Sequence, residues 1–160
     1  MRRKICRKWR AGISGFLVVA TLGALLAKEP NSSEGYTRQI QVSPLLSSTK
    51  TSSGQPIAYP KTDTPRVTAV LVEIPPGAET GWHQHPYPCY AYILSGELTV
   101  EVKGDSPKKL RAGDAFFEVV DTIHNGTNHG TEAVRLVMFV TGEEGKPFTV
   151  RVPDAGPGGK

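Results

Sequence analysis

Three of the four histidines in this chain stand where they could share one metal ion. His83 and His85 flank Gln84, and His124 follows far downstream in Thr122-Ile123-His124-Asn125. In an extended segment alternate side chains point the same way, so the imidazoles of His83 and His85 face one side. Two rings on one face, met by a third from another strand, form a donor set suited to a first-row transition ion. One histidine on a strand is an ordinary core or surface residue. Three in this arrangement predict metal binding, the alternative being a metal-free pocket that uses the rings for hydrogen bonding. Pro86 and Pro88 stiffen the chain after them and hold His85 and Tyr87 extended. The fourth histidine, His129, precedes Gly130 and reads as a loop residue.

These residues need strands to carry them, and the sequence supplies strands. Arg66 to Ile74 is dense in β-branched residues and stops at Pro75-Pro76-Gly77. Tyr90 to Leu94 is a second run, ended by Ser95-Gly96, and Glu97 to Val102 alternates polar with apolar before the turn Lys103-Gly104-Asp105. Shorter runs follow at Lys109-Leu110, Ala115 to Val120 and Ala133 to Val140. No useful helical period appears after residue 28. Many short strands at close spacing predict an all-β sandwich or barrel.

The spacing of the histidines and glycines resembles the cupin family. Its first motif is a glycine, five residues, His-x-His, three residues, a glutamate, six residues and a glycine. Gly77, His83, His85 and Gly96 match in register, with Cys89 in the glutamate position. Gly113, His124 and Asn128 match the second motif, where Val119 and Asp121 replace its proline and internal glycine. Seven of ten marked positions agree, within about residues 66–140. The resemblance implies a jelly-roll barrel (a double-stranded β-helix) over residues 63–152 and a homodimer. It also implies one divalent first-row transition metal (iron, manganese, zinc, copper or nickel) on His83, His85 and His124.

Cys89 is the main departure. It could be a thiolate fourth ligand, a thiol beside the metal as in some thiol dioxygenases, or a buried small hydrophobe. Glu118 shares the parity of His124 but is expected to lie too far along its strand to reach the site. Asn128 reads as a residue that holds backbone together. Tyr90, Tyr92, Phe116, Phe117, Met138 and Phe139 are pocket candidates, and alternation lets only one of each adjacent pair face inward; if Cys89 points in, Tyr90 and Tyr92 point away. Fold and ligands do not choose among cupin activities. The reading is a metalloenzyme of dioxygenase or lyase type acting on a small molecule. A non-catalytic module that binds a small ligand or metal stands as the alternative.

The 160 residues suit one domain, and the formal charge of +4 is misleading. Residues 1–27 hold six of the 19 Lys and Arg residues and no acid, which leaves 13 bases against 15 acids, a net of −2. No basic stripe remains, so a nucleic-acid partner is excluded. The basic cluster instead precedes an uncharged apolar run of 17 residues, Ala11 to Ala27, the layout of a secretory signal. Ala27 suits a cleavage site and Leu25 does not, and the run is just long enough to remain as a membrane anchor helix. Either way the domain is expected outside the cytoplasm, in a bacterial periplasm. Cys6 lies within that segment, which leaves Cys89 without an intrachain partner. Residues 28–62 read as a linker and an arm that lies across the domain or adds a strand. Residues 153–160 read as a disordered tail.

Overall fold

Period-two alternation of apolar residues shapes the long strands, and the buried half of each alternation builds the core. In β1 (Pro65–Ile74) the side chains of Val70, Val72 and Ile74 turn inward while Val67 and Leu71 are exposed. The same alternation runs through β3 (Cys89–Ser95) and β8 (Val134–Glu143), whose inner faces supply Cys89, Ala91, Ile93, Val134, Leu136, Met138 and Val140. β1 pairs with β8 from Pro65 opposite Glu143 to Ile74 opposite Val134. β3 lies on the other side of β8, and β6 (Ala115–Phe117) forms the far edge of this four-stranded sheet.

The second sheet is built from shorter pieces: β2 (His83–Gln84), β4 (Glu97–Val102), β5 (Lys108–Arg111), β7 (His124–Thr127) and β9 (Val150–Arg151), in the order β5-β4-β7-β2-β9. All strand pairs in both sheets are antiparallel. The computed structural model describes residues 39–155, and the expected signal or anchor of residues 1–27 lies outside them. Among the described residues there is no α-helix, and none of the structure is a helix long and apolar enough to cross a membrane. The predicted all-β jelly roll is the fold observed.

Two local features show why the sequence folds this way. Gly96 joins β3 to β4 at φ +78°, and a Cβ there would stand 2.9 Å from the Val134 Cα, so only glycine fits. Asn128 is fully buried; its amide donates to the carbonyls of Ile74 (2.9 Å) and Glu132 (2.8 Å), and its Oδ1 accepts from the Gly130 N–H (2.9 Å). It holds backbone together, as expected.

Residues 41–62 of the arm lie against the domain and add no full strand; Lys50 and Pro56 make an isolated bridge with each other. Ser52 N–H donates to the Phe117 carbonyl, and Lys108 Nζ donates to the Ser52 carbonyl. Gln55 grips Val120 from both sides, its Oε1 accepting from the Val120 N–H and its Nε2 donating to the Val120 carbonyl, each at 3.1 Å. One expectation fails at the other end. Residues 153–155, read as part of a disordered tail, form a 3-10 turn (Pro153–Ala155), because Ala155 is buried and its N–H bonds the Val152 carbonyl. Residues 156–160 lie outside the described part.

Candidate metal centre

The second sheet brings the three histidines together through its register. His83 on β2 stands directly opposite His124 on β7, a cross-strand pair whose ring centroids are 4.3 Å apart. His85 lies just past the end of β2, and its centroid is 4.9 Å from that of His83 and 5.1 Å from that of His124. All three residues are buried, and one ring nitrogen from each lies within 4.8 Å of the other two.

Each ring is oriented by a main-chain oxygen. His83 Nδ1 donates to the Gly81 carbonyl at 2.7 Å, His85 Nδ1 to Phe148 at 2.8 Å and His124 Nδ1 to Thr122 at 2.8 Å. A proton held at Nδ1 leaves Nε2 as the ligating atom, the usual arrangement of metal-bound histidine. The buried Nε2 of His124 has no hydrogen-bond partner among the described residues. A buried lone pair without a partner is costly unless a cation or proton meets it. The donor set therefore fits a transition metal.

The expectation for Glu118 is overturned. Its Oε2 lies 2.8 Å from His85 Nε2 and 3.9 Å from His124 Nε2, with 14% of the side chain exposed. Reckoning along a straight strand from Ala115 to Val120 put it out of reach. The named strand ends at Phe117, but its ladder with β3 runs on through the Glu118 N–H to the Cys89 carbonyl (2.9 Å), which sets Glu118 beside the inward-facing Cys89; farther on, Asp121 adopts φ +48° and donates its N–H to the His85 carbonyl at 2.8 Å. Parity with His124 was the signal that pointed to it.

Charge and burial set opposite states on neighbouring rings. Burial pulls the His83 pKa down to about 4, deepened by His124 and His85 and partly opposed by the Gly81 carbonyl. His124 is lowered by burial too, with the Glu118 charge opposing. Burial acts on His85 in the same sense, but the hydrogen bond and charge of Glu118 overcome it and its pKa is raised. Glu118 is pushed up by burial, yet the three imidazoles, His85 foremost, hold it below the usual carboxylate range.

Cys89 is 1% exposed within the apolar core, and its thiol donates to the Tyr87 carbonyl at 3.4 Å. Burial, with the Glu118 charge adding, raises its pKa far above the ordinary thiol value. Its sulfur lies within 4.8 Å of ligating atoms of both His85 and Glu118.

Over the rings opens a cavity of about 360 Å³, walled by Val70, Val72, Ile74, Leu98, Leu136 and Met138, with Phe148, Thr149 and Arg151 also lining it. Of the six aromatic and methionine candidates only Met138 lines this cavity. Phe116 is core, while Tyr90, Tyr92, Phe117 and Phe139 turn to the opposite face of their sheet and border a groove with Leu45 and Leu46. Phe148 and Arg151 lie beyond the motifs, and no spacing rule singled them out.

Comparison with known proteins agrees with this architecture. A family model described as a cupin domain matches residues 70–140, the span that carries all three rings. The β-alanine degradation protein BauB of Pseudomonas aeruginosa is 34% identical over 89 residues, 53% of this chain and 94% of BauB. Among solved structures, DMSP lyase DddQ of Ruegeria pomeroyi has a TM-score of 0.51 at 25% identity, covering 64% of this chain and 49% of its own. This chain thus spans about half the length of that lyase. A relative matched at one-third identity along nearly its whole length, and a family model seated on the ring-bearing strands, show that this chain belongs to the cupin superfamily.

Proposed function

We propose that the protein is a metal-dependent enzyme of lyase or dioxygenase type that acts on a small molecule, with a divalent first-row transition ion on His83, His85 and His124. One observation carries the reading. All three rings give their Nδ1 proton to main-chain carbonyls, so three Nε2 atoms are committed to one point at the floor of an open cavity. The ion would supply Lewis-acid or redox chemistry there. Three protein ligands leave coordination positions for substrate.

The chain's own residues then describe the substrate. The cavity volume is that of a small-molecule site, and its aliphatic walls exclude water from the apolar body of a ligand. Arg151 is the one Lys or Arg among the lining residues, placed to pair with an anionic group such as a carboxylate. Likeness to a protein named a lyase supports the lyase branch.

The test begins with metal analysis of the purified protein, then reconstitution with iron(II), manganese(II), zinc(II), copper(II) or nickel(II). A panel of small carboxylic acids, thiols and diketones is scored for elimination products and for oxygen uptake. One ion per chain, lost in His124→Ala, and turnover of a panel acid are expected. Arg151→Met should raise KM for that acid by roughly tenfold or more, the loss of a charge-assisted hydrogen bond. A stabilising ligand recovered unchanged, with no turnover, would make the protein a binding module. Absence of metal in every preparation would end the proposal.

A further inference from the structure

We infer that Glu118 is a fourth metal ligand, a carboxylate delivered from the β6–β7 segment in place of the glutamate that the cupin pattern puts at Cys89. The inference rests on the three-histidine reading above and adds a residue that the family pattern does not mark. The geometry is that of a shared ion. Two donors each about 2.1 Å from one cation stand about 3.0 Å apart at a right angle, about 3.4 Å at a tetrahedral angle and about 4 Å at wider angles. Glu118 Oε2 stands 3.9 Å from one ring nitrogen, inside that range, and 2.8 Å from another, slightly below its right-angle end and equal to an angle of about 84° at the ion.

The chemistry of the contact agrees. His85 spends its Nδ1 proton on the Phe148 carbonyl, so Nε2 and the carboxylate oxygen need a second proton or a metal ion between them, and the two compete for that place. Apart from that contact Oε2 has no hydrogen-bond partner among the described residues, and the nearest ring nitrogens to it are those of His85 and His124. Cys89 shares its metal-capable group with Glu118 and His85, but its sulfur is packed in the apolar core and bonded to a backbone carbonyl, whereas the Glu118 oxygen also reaches toward His124 Nε2 at 3.9 Å. A carboxylate joining three imidazoles restores the three-nitrogen, one-oxygen set suited to iron(II) or manganese(II), whereas a thiolate would turn the site toward softer ions.

Cobalt(II) titration of the full metal-free chain tests the assignment, because cobalt reports both affinity and ligand type. The parent protein should bind one cobalt(II) without the near-ultraviolet charge-transfer band of a thiolate ligand. Glu118→Gln, which keeps the side-chain shape, should weaken binding by at least the roughly 10–100-fold typical of a perturbed metal shell and change the visible ligand-field bands. Glu118→Asp should recover part of the affinity, and Cys89→Ser should stay within about threefold of the parent. Thermal melts of the metal-free variants check that each is folded. Parent-like affinity and spectrum in Glu118→Gln, while His124→Ala abolishes binding, would overturn the role of Glu118 and leave the three-histidine site standing. A thiolate band that vanishes in Cys89→Ser would overturn it in favour of the sulfur. Failure of the parent chain to bind cobalt would remove both readings together.

Discussion

Asp121 is the residue on which the site's shape turns. It occupies a left-handed conformation at φ +48°, in the position where the cupin pattern has a glycine. Aspartate tolerates that region better than most side chains, and β-branched residues hardly at all. Asp121→Gly should therefore leave stability within about 0.5 kcal/mol of the parent, while Asp121→Val should cost roughly 1–3 kcal/mol. Urea denaturation of the metal-free variants measures both, and a valine variant as stable as the parent would refute the strain argument. The histidine trio was legible because strand parity and motif register are local properties of the chain. Glu118 was not, since its reach depends on its pairing with Cys89 across to β3 and on the approach of His85 from the other sheet, neither of which is written along a single strand. Cys89 was legible only as a set of alternatives; its burial among Ala91, Ile93 and Val140 favours the hydrophobe.

At the level of elements, the long strands were readable and the short ones were not. β1, β3, β4 and β8 have enough alternation to announce themselves, whereas β2 and β9 are two residues each and exist through their pairing partners. The arm was foreseen as a covering segment, but the grip of Gln55 on Val120 could not be, because nothing in the sequence relates residues so far apart. That grip fixes the stretch between Glu118 and His124, with a further bond from Gln55 Nε2 to Thr122 Oγ1 at 3.0 Å. Gln55→Ala leaves the part-buried Val120 N–H without its partner, while the carbonyl keeps its bond from Thr122 Oγ1, and should cost about 1–2 kcal/mol. It should also speed hydrogen exchange at the Val120 amide and lower metal affinity several-fold. Unchanged exchange at Val120 would show that the arm is dispensable to the site.

For the molecule as a whole, the rings tie stability to pH with opposite signs on either side of neutrality. His83, with a folded pKa of about 4 against 6.5 when unfolded, stays neutral where the unfolded chain takes up a proton. Its effect is a loss of stability as pH falls from 6.5 toward 4, on the order of 3 kcal/mol in all, and His124 acts in the same direction. His85 is raised, so its contribution is full below 6.5 and fades as pH climbs through its folded value. Glu118 is lowered and its contribution disappears only below about 4.5, the unfolded value. Melts of the chelated protein should thus peak near pH 6.5 and decline on both sides; a Tm that keeps rising down to pH 5 would contradict the assignment. Metal must displace the proton on His85, so its affinity should climb as pH rises and level off once the raised pKa of that ring is passed.

The tethers of the three rings are peptide oxygens of Gly81, Thr122 and Phe148, present whatever side chain a position bears. The aliphatic lining, by contrast, projects from other strands and can be exchanged residue by residue. The histidine cluster and the cavity walls are therefore separable in this barrel. Substitution at Val70, Val72 or Met138 can reshape the guest space while the tethers of the rings stay put, which makes the scaffold a practical starting point for altering specificity by design.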